Sequence, residues 1–220
     1  VSETRKRRKK PQEVKTMNEE QRMAEVERFK NYFAYINRPG ADKLLAWLEE
    51  VGFFTAPAST KYHGAYAGGL VEHTNNVYRR LVKLADEEDK RLGRTYPEYT
   101  VDTIAVVALL HDVCKADAYK IKKEDLNCPY KTVVKKVYWT YTNNLPLGHG
   151  EKSVIQIMRF MQLSEEEMLA IRWHMGAFDY ATKGGSCDMN NAFAGSRLAV
   201  MLHIADMEAT HLDERKEKHE

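Results

Sequence analysis

A His-Asp doublet, His111-Asp112, ends the apolar run Ile104-Ala105-Val106-Val107-Ala108-Leu109-Leu110. Burying a charged carboxylate is costly unless it is paired or holds a metal. Four further residues of metal-ligand type lie on or beside helical patterns: His73 upstream, and His149, His174 and Asp206 downstream. Asp206 stands in the apolar stretch Leu202-His203-Ile204-Ala205-Asp206-Met207, where an acid needs a partner, either a cation from the chain or a metal. Imidazole nitrogen and carboxylate oxygen together suit one or two divalent transition metals, with Mn, Mg, Co, Ni, Fe and Zn all open.

Such residues can meet only if the elements that carry them converge. Asn18 to Ile36 reads as a helix, with Met23, Val26, Phe29, Phe33 and Ile36 at helical spacing, and Pro39-Gly40 ends it. Asp42 is the expected cap of a second helix running to about Val51. Residues 53–66 read as a loop. A long helix from Gly68 or Gly69 to about Lys90 carries His73. Thr100 is the expected cap of the helix that ends at the doublet. An irregular region from Asp117 to Leu147 follows, and its stretch Thr132 to Tyr141 has the β-branched and aromatic composition of a short strand pair. His149 starts a helix to about Gln162. Ser164 with Glu167 forms a capping-box pattern for the next, to about Met175, with His174 in its last turn. A last helix is expected from about Ala192 to His211. The sum is an all-α domain over 18–212, between a basic tail (1–17) and a polar, fraying tail (213–220).

Composition narrows the classes. The chain has 220 residues, 43% hydrophobic and 30% charged, enough for one sizeable core. No apolar run approaches the ~18 residues of a membrane span, and no secretory leader is recognisable. Three scattered cysteines, Cys114, Cys128 and Cys187, suggest neither a disulfide framework nor a zinc finger, and a cytoplasmic location is expected. Residues 1–15 carry seven basic side chains against two acidic ones, so the rest of the chain is mildly acidic. The basic run offers phosphate contacts to nucleic acid; the plainer alternative is a solvated tail. Oligomeric state is open.

The ordered set His73, His111-Asp112, His149, His174 and Asp206 resembles the signature of the HD superfamily of metal-dependent phosphohydrolases. The local contexts Leu110-His111-Asp112-Val113-Cys114-Lys115 and Gly148-His149-Gly150 agree with that signature, and the stretch Gly68-Gly69-Leu70-Val71-Glu72-His73-Thr74 is similar to HD domains of bacterial 3′→5′ exoribonucleases and mobile-element proteins. The resemblance implies an HD-type helical bundle, with a small irregular or β-hairpin excursion around 128–145. It implies that His73, His111, Asp112 and Asp206 bind one metal, and that His149 and His174 belong to the two-metal branch in which Asp112 bridges. A metal-bound hydroxide would then attack a phosphomonoester or phosphodiester of a nucleotide, another phosphorylated small molecule or a single-stranded nucleic-acid end. Lys115 matches a lysine that often follows the doublet and would hold a phosphate oxygen. There are departures. Met175 stands where many two-metal members have a second histidine. Val113-Cys114-Lys115-Ala116 lacks the acids of the ppGpp-hydrolase pattern. No Gly-Tyr-Pro motif of the cyclic-di-GMP branch occurs, and the N-terminal part reads as too short for the OB domain of the exoribonucleases. An HD-type di-iron oxygenase and a non-catalytic nucleotide or nucleic-acid binding module are the alternatives.

Other residues are weighed singly. His63 offers a contact to phosphate or water; the alternative is a loop histidine without a role. His203 shares a helix face with Asp206 and is read as a satisfied core histidine or as a partner orienting a ligand. His211 and His219 read as surface residues, and Cys114 as a small buried hydrophobe. Tyr130, Tyr138, Trp139 and Tyr141 interleave with Lys131, Lys135 and Lys136, either as a base-stacking surface or as a strand pair with a solvated edge. Lys183 with Gly184-Gly185 offers a loop that covers a substrate, or an ordinary surface loop.

Overall fold

Asn18 opens the first helix, α1 (Glu19–Phe33), through a reciprocal cap. Its side chain accepts from Gln21 N at 2.8 Å, and Gln21 Oε1 accepts from Asn18 N at 3.1 Å. The computed structural model describes residues 17–126, 134–142 and 145–214, and leaves the side chains of 121–126 and 134–138 undescribed. The basic run at 1–15, with Cys128, Tyr130, Lys131 and His219, lies outside the described residues. So do the side chains of Lys135, Lys136 and Tyr138.

The remaining elements follow in chain order: α2 (Ala41–Glu50), α3 (Gly69–Arg91), α4 (Val101–Leu110), β1 (Tyr119–Leu126), β2 (Val134–Tyr141), α5 (His149–Met158), α6 (Glu165–Trp173), α7 (Tyr180–Lys183), α8 (Asp188–Gly195) and α9 (Arg197–Glu208). The fold is all-α with one small antiparallel two-stranded sheet. Among the described residues no helix is long and apolar enough to cross a membrane.

Helix α4 is buried along the whole of Ile104 to Leu110. A helix apolar on every side must lie at the centre. Helix α3 packs against α1, α4 and α9, while α6 packs against α4, α5 and α9. Phe29, Leu44, Leu81, Leu109, Ile157, Ile171 and Leu202 are fully buried in the resulting core. Two helices that end in histidine, α4 and α6, thus lie side by side.

Arg38, in the turn before α2, braces three elements. Its guanidinium grips Glu167 in the first turn of α6 through Nη1–Oε2 at 2.8 Å and Nη2–Oε1 at 2.5 Å. Its Nε donates to Asp102, in the first turn of α4, at 2.6 Å. Burial works against the charges, but the paired hydrogen bonds win: Glu167 is held below the ordinary carboxylate range and Arg38 above its usual value.

Several expectations need correction. The cap of α2 is Gly40, with φ +90°, and Asp42 sits in the first turn, where its charge favours the helix dipole instead. The expected strand pair within Thr132–Tyr141 is one strand only. Its partner is Tyr119–Leu126, in the register Tyr119 opposite Tyr141, so the hairpin begins well before 128. Tyr-Lys-Ile-Lys-Lys-Glu-Asp-Leu has little β propensity of its own, and pairing imposes its conformation. The single helix expected over 192–211 is two. Ser196 leaves helical geometry (φ −136°, ψ 115°) and caps α9, its Oγ accepting from Ala199 N at 3.0 Å. The first two residues of the expected fraying tail make contacts: Asp213 pairs with Arg80, and the side chain of Glu214 is only 4% exposed.

Candidate metal centre

Helices α4 and α6 end with the same device. His111 and His174 are their C-caps. His111 Nδ1 lies 2.8 Å from Ala108 O, and His174 Nδ1 lies 2.7 Å from Ile171 O. A carbonyl only accepts, so each Nδ1 carries a proton, and in the neutral ring each Nε2 presents a lone pair. The bond also satisfies a terminal helix carbonyl. Both Nε2 atoms are buried without a hydrogen-bond partner.

Asp112 stands between them. Its Oδ2 lies 3.4 Å from His111 Nε2 and 3.8 Å from His73 Nε2, and its Oδ1 lies 3.6 Å from His174 Nε2. Lys115, one turn on, places Nζ 2.6 Å from Oδ2. Burial disfavours the carboxylate charge, but Lys115 and His111 outweigh it and hold Asp112 well below its usual range. Lys115 is held above its usual value by the same pairing, against the cost of its own burial.

His73 comes from the buried face of α3. The approach is fixed by Gly69: a Cβ there would fall 2.0 Å from Gly64 O, so the loop before α3 can cross only at glycine. His73 Nε2 lies 3.3 Å from Asp206 Oδ1, out of line for a hydrogen bond, and is buried without one. Its Nδ1 is 3.0 Å from Glu214 Oε1. Burial works against a charge on this ring, and Glu214 and Asp206 overcome it, pushing His73 up to about 10. Asp206, on α9, is held below its usual range, with burial opposed chiefly by His73.

His149 opens α5, which lies directly on α6. A Cβ on Gly150 would sit 2.3 Å from Arg172 O, so glycine permits the close contact that brings His149 in. Its Nδ1 is buried and unpartnered. Burial pushes His149 down to about 4, so the ring is neutral near pH 7. Ligand-type atoms of His73, His111 and Asp206 lie within 4.8 Å of one another; so do those of His111, Asp112 and His174, and those of Asp112, Cys114 and His149. A buried His/Asp cluster with unpartnered nitrogens is a donor set that could hold a metal.

Part of the chain resembles a phosphodiesterase. Over 70 residues, 32% of this chain, it is 44% identical to the dihydroneopterin 2′,3′-cyclic phosphate phosphodiesterase of Methanocaldococcus jannaschii. The matched stretch spans 26% of that phosphodiesterase, about a quarter of its length. No family model matches the chain, and no solved structure matches it.

The cluster forms the floor of a cavity of about 720 Å³, within the range of small-molecule sites. Asp112, Lys115, His149, His174 and Asp206 all face it. So does His63, whose loop is closed by Ser59 Oγ donating to His63 O at 2.7 Å. Its ring centre is 5.0 Å from that of His73, and burial first, then the neighbouring His73, pushes it down to about 4. The six residues singled out as metal ligands and the two singled out for substrate therefore share one region. Tyr141 of the hairpin reaches it too, stacking on His149 with ring centres 6.0 Å apart and accepting from Lys152 Nζ at 2.8 Å. Cys114 is buried beside the cluster, and its thiol is pushed up to about 12 by burial, which suits an inert side chain.

One contributor escapes a reading of the sequence. Glu214 falls in the stretch that reads as a fraying tail, yet the turn at Ala209–Asp213 bends it back to His73 and to Asn76, whose Nδ2 donates to it at 3.0 Å. No periodic signal marks it, although an acid just beyond a helix that carries Asp206 is a clue. Of the two readings of His203, the contact favours the partner: its Nδ1 donates to His174 O at 2.7 Å and so fixes that histidine's backbone. A carboxylate on the far nitrogen of a ligand histidine orients it and raises its basicity. Glu214→Gln is expected to weaken metal binding and turnover by about 10–100-fold. Metal titration followed by activity assay checks this, and an unchanged affinity would make Glu214 a packing residue.

Proposed function

We propose that this protein is an HD-type metal-dependent phosphohydrolase. The observation that carries the reading is the matched pair His111 and His174, each locked through Nδ1 and presenting Nε2 beside Asp112. In this reading His73, His111, Asp112 and Asp206 would hold one divalent metal, and His149 and His174, with Asp112, would hold a second. Asp112 suits both groups, since Oδ2 faces His73 and His111 while Oδ1 faces His174. When bound, two such metals supply Lewis acidity and a water activated near neutral pH.

The chain's own side chains do the rest. Lys115 moves from Asp112 to a non-bridging phosphoryl oxygen and supplies a point charge there. Neutral His63, on the cavity wall, donates a hydrogen bond to the phosphoryl group or to the attacking water. Glu214 keeps His73 in its ligand orientation. The substrate is a phosphoric ester, either a monoester or a diester, of a nucleotide, a related phosphorylated small molecule, or the end of a single-stranded nucleic acid. The similarity to a cyclic-phosphate phosphodiesterase favours a small phosphodiester among these.

The test joins metal analysis of the purified protein to a hydrolysis screen with Mn²⁺, Mg²⁺, Co²⁺, Ni²⁺, Fe²⁺ or Zn²⁺. The panel holds nucleotides, 2′,3′-cyclic phosphates, cyclic dinucleotides and short RNA and DNA. About two metals per chain with release of a phosphoester product is the expected result. One metal would assign His149 and His174 to the substrate instead. No metal and no turnover would overturn the reading in favour of a binding module, and oxygen-dependent turnover with iron in favour of an oxygenase.

A further inference from the structure

Three aromatic rings stand in solvent around the mouth of the same cavity: Tyr62 at 76%, Phe178 at 57% and Tyr180 at 81% exposure. Single exposed apolar residues are ordinary, but several around one concave site mark a binding surface. They contribute little to folding, because their apolar area stays in water. Lys183 lies over two of them, with Nζ 5.8 Å from the Phe178 ring centre and 5.6 Å from that of Tyr180.

This group is built rigidly onto the metal-ligand cluster. Phe178 follows His174 by four residues, and its N donates to Met175 O at 3.0 Å. Between the two rings, buried Asp179 accepts from Arg172 of α6 at 3.0 Å and from Ala181 N at 2.8 Å, which starts α7. The backbone that carries Phe178 and Tyr180 is therefore anchored to α6, and both side chains line the same cavity as Lys115, His149 and His174. A ligand that spans both ends must carry a phosphoryl group at one end and a flat, π-rich group at the other.

We propose that Phe178, Tyr180 and Lys183, with Tyr62, form the subsite for a planar heteroaromatic ring carried by the phosphoester substrate, and so set its specificity. This rests on the hydrolase reading for the phosphoryl end only. Stacking on such rings tolerates any flat heterocycle, because every one has a π face. Lys183 adds a donor to a ring carbonyl or nitrogen. Nucleobase and pterin esters share this chemistry; a sugar phosphate or glycerol phosphate does not.

The test is binding measured by calorimetry on the full chain in chelator, where no metal-dependent turnover confounds it. The probes are adenosine 5′-monophosphate, neopterin monophosphate and ribose 5-phosphate. Both ring-bearing esters are expected to bind at least about tenfold more tightly than ribose 5-phosphate, as loss of one stacked base would predict. Their relative order assigns the ring source, and either order supports the subsite. In a Phe178→Ala/Tyr180→Ala chain the advantage should collapse to within about twofold. Lys183→Ala should lower it by several-fold. All three side chains are solvent-facing, and an unchanged melting temperature confirms that the variants fold. Equal affinity of all three probes, no detectable binding of the ring-bearing esters, or an advantage that survives the double substitution would overturn the proposal. The two readings fail separately. Hydrolysis without ring preference removes the subsite and leaves the hydrolase; ring preference without hydrolysis under any metal does the reverse.

Discussion

Asp112→Asn is expected to lower phosphoester hydrolysis by at least about 10²–10³-fold, the scale of losing one preorganised electrostatic group, and to lower bound metal in the same preparation. It should also destabilise the fold, for a reason unconnected with catalysis. Lys115 is buried, and its ammonium lies 2.6 Å from Asp112 Oδ2. Neutralising the carboxylate leaves that charge without its partner, at a cost of about 3–5 kcal/mol. Lys115→Met in the same chain removes the ammonium and keeps an unbranched side chain. Melting temperature should then recover while turnover stays lost. Thermal melts, elemental analysis and kinetics on the single and double variants separate the two roles. Turnover within tenfold of the parent in Asp112→Asn, or its return with Lys115→Met, would sink the assignment of Asp112 as a shared metal ligand.

Arg38→Ala is the substitution with the largest expected effect on stability alone. It strips the side chain of Glu167, 1% exposed, of both guanidinium bonds and releases Asp102 as well. An uncompensated buried carboxylate costs about 3–5 kcal/mol, which for a chain of this size lowers the melting temperature by roughly 10 °C. The pH dependence has a definite sign. Pairing holds Glu167 below its unfolded value, so its contribution is complete above the ordinary carboxylate range of about 4.3. It is lost as pH falls through the lowered folded value. The difference between parent and variant should therefore be full at pH 7 and shrink in acid. A difference that is constant from neutral pH to acid, or one below 1 kcal/mol, would reduce Arg38 to an ordinary surface residue.

The helices that carry the cluster were legible because local signals agree there. The capping pair Ser164–Glu167, the cap Thr100 and the apolar run before His111 each specify an end or a face through residues three or four apart. The hairpin was half legible. Val134–Tyr141 has strand composition, whereas Tyr119–Leu126 becomes a strand through its partner across the sheet. The break at Ser196 was marked by Gly195-Ser196, a stop followed by a cap, but the apolar pattern runs across it and hides it.

The sequence by itself determined the residue types of the cluster, their order, and the helix ends from which His111, Asp112 and His174 project. Those depend on contacts within a turn or two of the chain. Tertiary structure alone decided that Asp112 turns one oxygen to His111 and the other to His174, and that Glu214 reaches back 141 residues to His73. It alone decided that Phe178 and Tyr180 stand at the mouth of the cavity whose floor holds the cluster. The physical reason is that a side chain's type and its helical phase are local properties. The distance between two side chains on different helices is set by how α3, α4, α6 and α9 pack, and that packing is the work of the whole core.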